Sequence, residues 1–170
     1  SVNEKAALEV AAGAAYAGAR TMVTMKQVGL NVASDPLMSL EYIGVKGGMV
    51  IMVADDPGPI SSQTEQDTRH FAAFSKLPCF DPTSVQEAYD MMSYAFQLSE
   101  DKKLPVLMRV VTRLAHSRAG VVISERKAEN KLNPDNERTH WVLLPGNARR
   151  QYDALVDKQS ILVASSEKSP

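Results

Sequence analysis

The sequence has almost no cysteine, no long apolar run and no excess of charge of either sign. A single cysteine, Cys79, excludes an internal disulfide framework and a cysteine-ligated zinc or iron–sulfur site within this chain. No apolar run approaches the roughly 18 residues that a membrane span requires. The first residues mix acids with apolar side chains and lack the order of a signal peptide. These absences predict a cytoplasmic protein.

The charge balance excludes a further class of protein. The 19 Lys and Arg residues are matched by 20 Asp and Glu residues, which gives a net charge of −1 and no basic block. General nucleic-acid binding needs a basic patch or stripe, so the composition argues against it. With 170 residues, the chain is long enough for one domain with its own hydrophobic core.

The first third of the chain predicts two helices around a short strand. Residues 4–18 are rich in Ala, the best helix former. Apolar side chains occur all round this segment, so we expect both of its faces to be buried. Residues 21–25 are a candidate strand. Residues 26–31 form a turn or begin a second helix that runs to about Ile43, with a break or bend near Asp35 caused by Pro36.

The middle of the chain alternates apolar strands with helices. Residues 49–54 are uninterrupted apolar residues, typical of a strand covered on both faces in a parallel sheet. After a turn at residues 55–59, the capping-box pattern of Ser62 and Glu65 predicts a helix to about Ser75, and a second box predicts another helix from Ser84. That helix carries an apolar stripe of Val85, Ala88, Tyr89, Met92 and Phe96, and residues 104–111 predict a further strand.

This alternation predicts an α/β fold with a mostly parallel central sheet flanked by helices. The character of the sequence changes after about Arg118, where charged and turn-forming residues follow. We therefore divide the chain into a domain of residues 1–118 and a tail of residues 119–170. The tail consists of a linker and a C-terminal helix that has Pro145 in its first turn.

Ligands of open α/β sheets bind beyond the carboxyl ends of the strands. Three loops occupy such positions, at residues 25–31, 55–66 and 112–118. Each is more polar than a turn requires. The two acids Asp55 and Asp56 form either a structural turn or a metal pair, and the residue types favour the turn.

Several segments in this order resemble the pyrimidine-binding domain of the 2-oxoacid:ferredoxin oxidoreductases, which depend on thiamine diphosphate. The resemblance begins with Asn3-Glu4 in residues 3–9 and continues through residues 25–31, Gly47-Gly48-Met49, residues 54–58 and residues 61–69. Residues 109–118 and 145–149 resemble the end of that domain and the segment that leads to the next. Within the family, the likeness is closest to the large (alpha) subunit of the indolepyruvate enzymes.

The resemblance implies a role for Glu4. Its carboxylate would hydrogen-bond a ring nitrogen of the cofactor's aminopyrimidine and favour the tautomer that takes a proton from the thiazolium carbon. From residue type alone, an acid in the first turn of a helix also has a plain explanation, because it interacts favourably with the helix dipole.

Further site residues follow from the same resemblance, each beside a structural alternative. Gln27, Gly29 and Asn31 would contact the cofactor, although they could simply form a turn and cap the next helix. Ser62 could likewise be a helix cap, and Arg113 could belong to an exposed basic turn. The residues that would contact substrate are Lys26, Ser62, Gln63, Gln66 and Arg113.

The resemblance also implies that this chain is part of a larger enzyme. Thiamine diphosphate with Mg²⁺ and [4Fe-4S] clusters would be held largely outside it, with coenzyme A as a co-substrate. Its partners would be a diphosphate-binding domain, a smaller subunit of the same enzyme, ferredoxin and the 2-oxoacid, with no nucleic acid or membrane. The reaction would be oxidative decarboxylation of arylpyruvates such as indolepyruvate to acyl-CoA, and we expect the isolated chain to be inactive.

Two alternatives stay open. The same enzyme class could act on pyruvate, 2-oxoglutarate or a branched-chain 2-oxoacid, because substrate contacts would also come from a strand and helix preceding residue 1. The chain could instead be a non-catalytic interaction domain of the same fold that uses its apolar first helix for assembly.

Overall fold

The computed structural model describes residues 1–169. Its strands are β1 (Thr21–Lys26), β2 (Met49–Asp55), β3 (Cys79–Phe80) and β4 (Val106–Val111). The helices of the first two thirds are α1 (Glu4–Tyr16), α2 (Gln27–Val32), α3 (Ser34–Ile43), α4 (Thr68–Ser75), α5 (Val85–Lys102) and α6 (Thr112–Ala115). They are followed by α7 (Arg138–Trp141), α8 (Pro145–Asp157) and α9 (Gln159–Ser166).

The four strands form one parallel sheet in the order β1-β2-β4-β3. Strand β2 lies between β1 and β4, and its alternate side chains enter two different cores. Met49, Ile51 and Val53 pack in the core that α1 and α3 cover, whereas Val50 packs in the core that α5 covers. This confirms the predicted α/β fold and explains why β2 is apolar at consecutive positions.

Helix α1 begins where the sequence predicts, but only one of its faces is buried. The Asn3 side chain accepts a hydrogen bond from the Ala6 amide at 2.9 Å and caps the helix. Leu8 and Ala15 are fully buried, whereas Val10 is 73% exposed. The expectation that both faces are buried is therefore wrong in this chain, because the sheet and α3 cover the inner face alone.

The predicted long second helix is two helices, and the break precedes the proline. Helix α2 ends at Val32 and α3 begins at Ser34, with Ala33 between them. Pro36 lies in the first turn of α3, where a backbone N–H has no intrahelical acceptor and its absence costs little. The break is therefore two residues earlier than Asp35.

The first predicted capping box does not cap a helix. Helix α4 begins at Thr68, with Asp67 as its cap, and residues 57–67 form a loop. The buried Asp55 carboxylate accepts hydrogen bonds from the Thr68 amide at 2.8 Å and the Thr68 hydroxyl at 2.6 Å. This tertiary contact sets the start of the helix, so Ser62 lies in the loop instead of at a cap.

The second box is half formed. The Ser84 side chain accepts a hydrogen bond from the Glu87 amide, but the Glu87 carboxylate bonds to Thr83 instead of Ser84. The most deeply buried face of α5 runs through Met91, Ala95 and Leu98, with the predicted stripe packed beside it. That stripe is shifted toward the rim of the core.

Residues beyond 118 cross the surface before returning to the core. An extended segment passes α5, where the Ser124 amide donates to the Tyr89 hydroxyl at 3.1 Å. Helix α8 starts at Pro145 as predicted, and its Leu155 is 2% exposed and joins the core beside α3. The division at residue 118 stays a prediction. Within residues 1–169, no helix combines the length and apolarity that crossing a bilayer demands.

Candidate functional site

Three strands end at the same edge of the sheet, and a polar residue lies at or directly after each end. Lys26 is the last residue of β1 and pairs with Ala54 of β2. Asp55 is the last residue of β2 and lies beside Val111, which precedes Thr112. The parallel register therefore brings the three predicted ligand loops together at this edge.

Glu4 lies at the first position of α1, half-buried, and faces α2. Its side chain occupies the space beside the Cα of Gly29: a Cβ atom at residue 29 would lie 2.6 Å from the Glu4 Cγ and 2.9 Å from its Oε1. Since real Cβ atoms do not approach other atoms so closely, this position needs glycine while Glu4 keeps its present rotamer. Two residues that the sequence assigned to one site are therefore in direct contact.

The loop after β1 is hydrogen-bonded to the loop after β2. The Lys26 ammonium donates to the Ser61 hydroxyl at 2.6 Å. The Gln27 side chain, which is only 1% exposed, donates through Nε2 to the Thr64 carbonyl at 3.1 Å. These two contacts fix the loop of residues 57–67 against the start of α2.

Asp56 connects both loops to β4. Its carboxylate accepts hydrogen bonds from the Thr112 hydroxyl and, at 2.9 Å, from both the amide and the hydroxyl of Ser61. Asp56 is 1% exposed, yet these donors, with Thr112 the strongest, hold its pKa well below its usual range despite burial. The Lys26 ammonium lies 3.6 Å from the same carboxylate.

Asp55 lies beside Asp56 but belongs to a different network. Besides Thr68, it accepts a hydrogen bond from Arg109 Nε at 2.6 Å. Arg109 is 7% exposed and also reaches Asp81 at 2.9 Å and Asp67 at 3.4 Å. The oxygens of the predicted acid pair are thus used by protein donors, which fits the structural alternative. Among residues 1–169, no group of three or more His, Cys, Asp or Glu side chains could hold a metal ion.

Three of the predicted site residues each carry a buried side-chain oxygen without a hydrogen-bond partner in the described part of the chain. These atoms are Gln27 Oε1, Ser62 Oγ and Gln66 Oε1. Native proteins satisfy most buried polar atoms, and an unsatisfied one calls for a specific cause. The three atoms lie on the two joined loops, and the same condition occurs away from this edge at Thr21, Glu41 and Gln151.

The remaining predicted residues lie at the rim. Gln63, Asn31 and Arg113 are exposed, and within residues 1–169 their side chains make no hydrogen bond or ion pair. Glu9 is also exposed, on the outer face of α1. The structure therefore joins Lys26 and Gln27 to the loop that carries Ser62 and Gln66, and it leaves the other three at the solvent boundary.

Sequence reasoning missed the roles of Asp56 and Thr112 in this cluster. The sequence pattern presents Asp56 as a turn residue or half of a metal pair, and Thr112 only as the start of a loop. The signal that could have found Thr112 is its position directly after a buried strand, at the same edge as Asp56. Pairing the two requires the strand order, because β4 is adjacent to β2.

The geometry fits half of a thiamine diphosphate site. A half-buried carboxylate against a glycine, with unsatisfied buried oxygens on the adjoining loops, suits a ring that carries hydrogen-bond donors and acceptors. The residues that would hold it are Glu4, Gln27 and Gly29.

Comparison with known proteins agrees with this picture. A family model described as "Pyruvate flavodoxin/ferredoxin oxidoreductase, thiamine diP-bdg" matches residues 2–158. The chain is 48% identical over 172 residues to the "Indolepyruvate oxidoreductase subunit IorA" of Methanothermobacter thermautotrophicus, a match that covers 99% of this chain and 28% of the relative. The protein of the same name from Pyrococcus abyssi is 52% identical over 131 residues, covering 77% of this chain and 20% of the relative.

A solved structure shows the same fold. The chain superposes on a "2-oxoglutarate:ferredoxin oxidoreductase from Magnetococcus marinus with 2-oxoglutarate, coenzyme A and succinyl-CoA bound" with a TM-score of 0.68 at 17% sequence identity. The superposition covers 96% of this chain and 36% of that one. The chain thus spans from about a fifth to just over a third of the length of these proteins.

Proposed function

This chain belongs to the thiamine-diphosphate-binding part of the pyruvate flavodoxin/ferredoxin oxidoreductase family, and from that membership we propose that it forms the pyrimidine side of the cofactor site in an oxidoreductase of 2-oxoacids. The single observation that carries the proposal is the contact of Glu4 with Gly29, which lies two residues from Gln27 in α2, where Gln27 Oε1 is buried without a partner within residues 1–169. Bound thiamine diphosphate supplies the electron sink for decarboxylation.

The chain's own residues orient the ring and hold a proton. Glu4, at a helix start that Asn3 caps, would hold a proton at the ring nitrogen of the bound pyrimidine. Gln27 Oε1, buried and without a partner within residues 1–169, is available to a donor on the ring.

We assign indolepyruvate and related arylpyruvates as substrates because relatives at 45–52% identity carry the name indolepyruvate oxidoreductase. The overall reaction is oxidative decarboxylation of a 2-oxoacid with transfer of its acyl group to the thiol of coenzyme A, which yields acyl-CoA, carbon dioxide and one proton, with the two electrons passing to ferredoxin. Iron–sulfur clusters, Mg²⁺ and the diphosphate-binding domain belong to other parts of the enzyme.

Replacement of Glu4 by Gln in the complete oxidoreductase tests the proposal. The amide keeps the size of the side chain but cannot exchange a proton, so we expect turnover of indolepyruvate to fall by about 10²–10⁴-fold while subunit assembly stays intact. Unchanged turnover in this variant would favour a non-catalytic interaction domain. Turnover of the wild-type enzyme with another 2-oxoacid but not with indolepyruvate would contradict only the substrate assignment.

Replacement of Gly29 by Ala tests the geometry of the same contact. Ala is favoured over Gly inside a helix by about 1 kcal/mol, so the backbone tolerates the change, but the new Cβ must displace the Glu4 side chain. A displacement of about 1 Å costs on the order of 10²-fold in rate. Gly13→Ala is the matched control, because a Cβ there meets nothing within 4 Å; equal activity of the two variants would contradict the role of the contact.

A further inference from the structure

At this edge of the sheet, Lys26 is a cation with unused N–H donors that also contacts the neighbouring loop, whereas the Arg113 side chain makes no hydrogen bond or ion pair within residues 1–169 and lies exposed at the rim. Arg109 is buried and bound to two carboxylates at 2.6 and 2.9 Å, and Arg69 is bound to Asp67 at 2.6 Å. The Lys26 ammonium has three N–H donors but only one hydrogen-bond partner within residues 1–169, the Ser61 hydroxyl. Its side chain is 43% exposed, so solvent or a ligand reaches it.

The residues that hold the ammonium are chain neighbours of two buried oxygens that have no hydrogen-bond partner within residues 1–169. Lys26 directly precedes Gln27, whose Oε1 is buried and unsatisfied, and it binds Ser61, which directly precedes Ser62 with its unsatisfied hydroxyl. A ligand that satisfies these oxygens therefore lies within the neighbourhood of a positive charge. The negative group common to all 2-oxoacids is their carboxylate.

Asp56 limits the positions that the Lys26 ammonium can occupy. Its carboxylate accepts three hydrogen bonds from neutral donors, the hydroxyls of Thr112 and Ser61 and the Ser61 amide, and it lies 3.6 Å from the ammonium. At this distance the acid attracts the ammonium without occupying it as a hydrogen-bond acceptor. Because those donors keep the pKa of Asp56 below its usual range, the carboxylate stays charged throughout the physiological pH range.

We propose that Lys26 receives the carboxylate of the 2-oxoacid, and that Asp56, held by Thr112 and Ser61, is the positioning residue that fixes the Lys26 ammonium. This inference rests on the proposed function of the site. The ends of three strands then act together in substrate recognition, since β4 is followed by Thr112, β2 by Asp56, and β1 ends in Lys26 itself.

The experiment uses the complete oxidoreductase and compares indolepyruvate with its uncharged amide, indole-3-pyruvamide, as a competitive inhibitor. Lys26→Met and Asp56→Asn are each expected to raise the KM for indolepyruvate by about tenfold or more, because a charge-assisted hydrogen bond is lost or misplaced. The inhibition constant of the amide should change less than about twofold, because it lacks the charge that Lys26 recognises.

Thr112 provides a test that does not depend on removing a charge. Thr112→Val deletes the hydroxyl that binds Asp56 and should raise the KM for indolepyruvate with little change for the amide, whereas Thr112→Ser keeps the hydroxyl and should restore the wild-type KM. Asp135→Asn is the matched control, since Asp135 pairs with Lys46 at 2.8 Å, near the opposite end of β2. Its KM should equal that of the wild type.

Three results would overturn the proposal. If Asp56→Asn raised the KM for indolepyruvate and the inhibition constant of the amide by the same factor, Asp56 would only maintain the fold. Unchanged values in both Asp56→Asn and Thr112→Val would remove the positioning role, and a carboxylate-specific loss confined to Arg113→Ala would move substrate recognition to the rim. Each of these results leaves the Glu4→Gln outcome unaffected, so failure of this inference is distinguishable from failure of the proposed function.

Discussion

Two buried carboxyl groups of this chain have pKa values shifted in opposite directions. At the carboxyl edge of the sheet, Asp56 is 1% exposed and accepts hydrogen bonds from Thr112 and Ser61, which hold its pKa well below its usual range. Between α3 and α8, Glu41 is 4% exposed, and its Oε2 has no hydrogen-bond partner within residues 1–169. Burial raises the pKa of Glu41 to about 7, with Lys76 partly opposing this shift.

The difference teaches that burial alone does not decide the charge of an acid. Burial disfavours the charged form in both places, and only the directed donors at the sheet edge reverse that effect. The donors at this edge therefore keep the Asp56 carboxyl group ionised. Under α8, Glu41 lines a cavity of about 280 Å³ together with Gln151, whose Oε1 is also unpartnered within residues 1–169, so this region covers a carboxyl group without providing donors for it.

The largest expected effect comes from breaking the donor network at the edge. Arg109→Leu leaves the buried Asp55 without its cation, and loss of one partner from a buried pair costs about 3–5 kcal/mol. Urea unfolding of the chain measures this loss. The control is Arg69→Ala, because that guanidinium is 59% exposed and such pairs contribute about 1 kcal/mol or less. If both variants lost a similar free energy of unfolding, the buried ion pair would stabilise the chain no more than the exposed one.

An intermediate effect is expected where donors are missing. Because the pKa of Glu41 is about 7 in the folded chain and 4.5 is the ordinary value for this group, the native state binds more protons between these values. The contribution of Glu41 to the free energy of unfolding therefore falls as pH rises from about 4.5 through about 7. Since one pKa unit corresponds to about 1.4 kcal/mol, Glu41→Gln should stabilise the chain at pH 8 by up to about 3 kcal/mol and flatten this dependence.

Urea titrations at pH 5 and pH 8 measure the effect of Glu41→Gln. The exposed Glu129 provides the control, since Glu129→Gln should leave the pH dependence unchanged. If Glu41→Gln lowered the free energy of unfolding at pH 8 more than at pH 5, the charged Glu41 carboxylate would be stabilised by a hydrogen-bond donor, and the prediction would be wrong.

The smallest effect separates the two predicted capping boxes. Ser84 caps α5, so Ser84→Ala should lower the free energy of unfolding by about 1 kcal/mol. Ser62 caps no helix, so Ser62→Ala should change stability by less than about 0.5 kcal/mol. A large loss of stability in Ser62→Ala would place its hydroxyl in a structural contact.

Much of the fold could be predicted because its signals are local. The apolar run of residues 49–54 specifies a strand buried on both faces, and the observed β2 spans Met49–Asp55. The start of α4 could not be predicted, because Asp55 binds Thr68 across a loop and overrides the local box at Ser62. Strand β3 escapes prediction because two residues, Cys79 and Phe80, carry no periodicity.

The candidate site divides in the same way. The residues Lys26, Gln27 and Gly29 could be named in advance because they follow a strand and match a family pattern. Their partners Asp56, Thr112 and the Thr64 carbonyl could not, since each contact joins elements that are distant in the chain.

The sequence by itself determined the alternation of strands and helices, the family and the place of Glu4 at the start of α1, because periodicity, helix capping and motif order are written along the chain. Only the tertiary structure decided which carboxylates are charged and which loops meet. The strand order β1-β2-β4-β3 places the three loops at one edge, and the hydrogen-bond donors assembled there, which no local pattern specifies, distinguish Asp56 from the similarly buried Glu41.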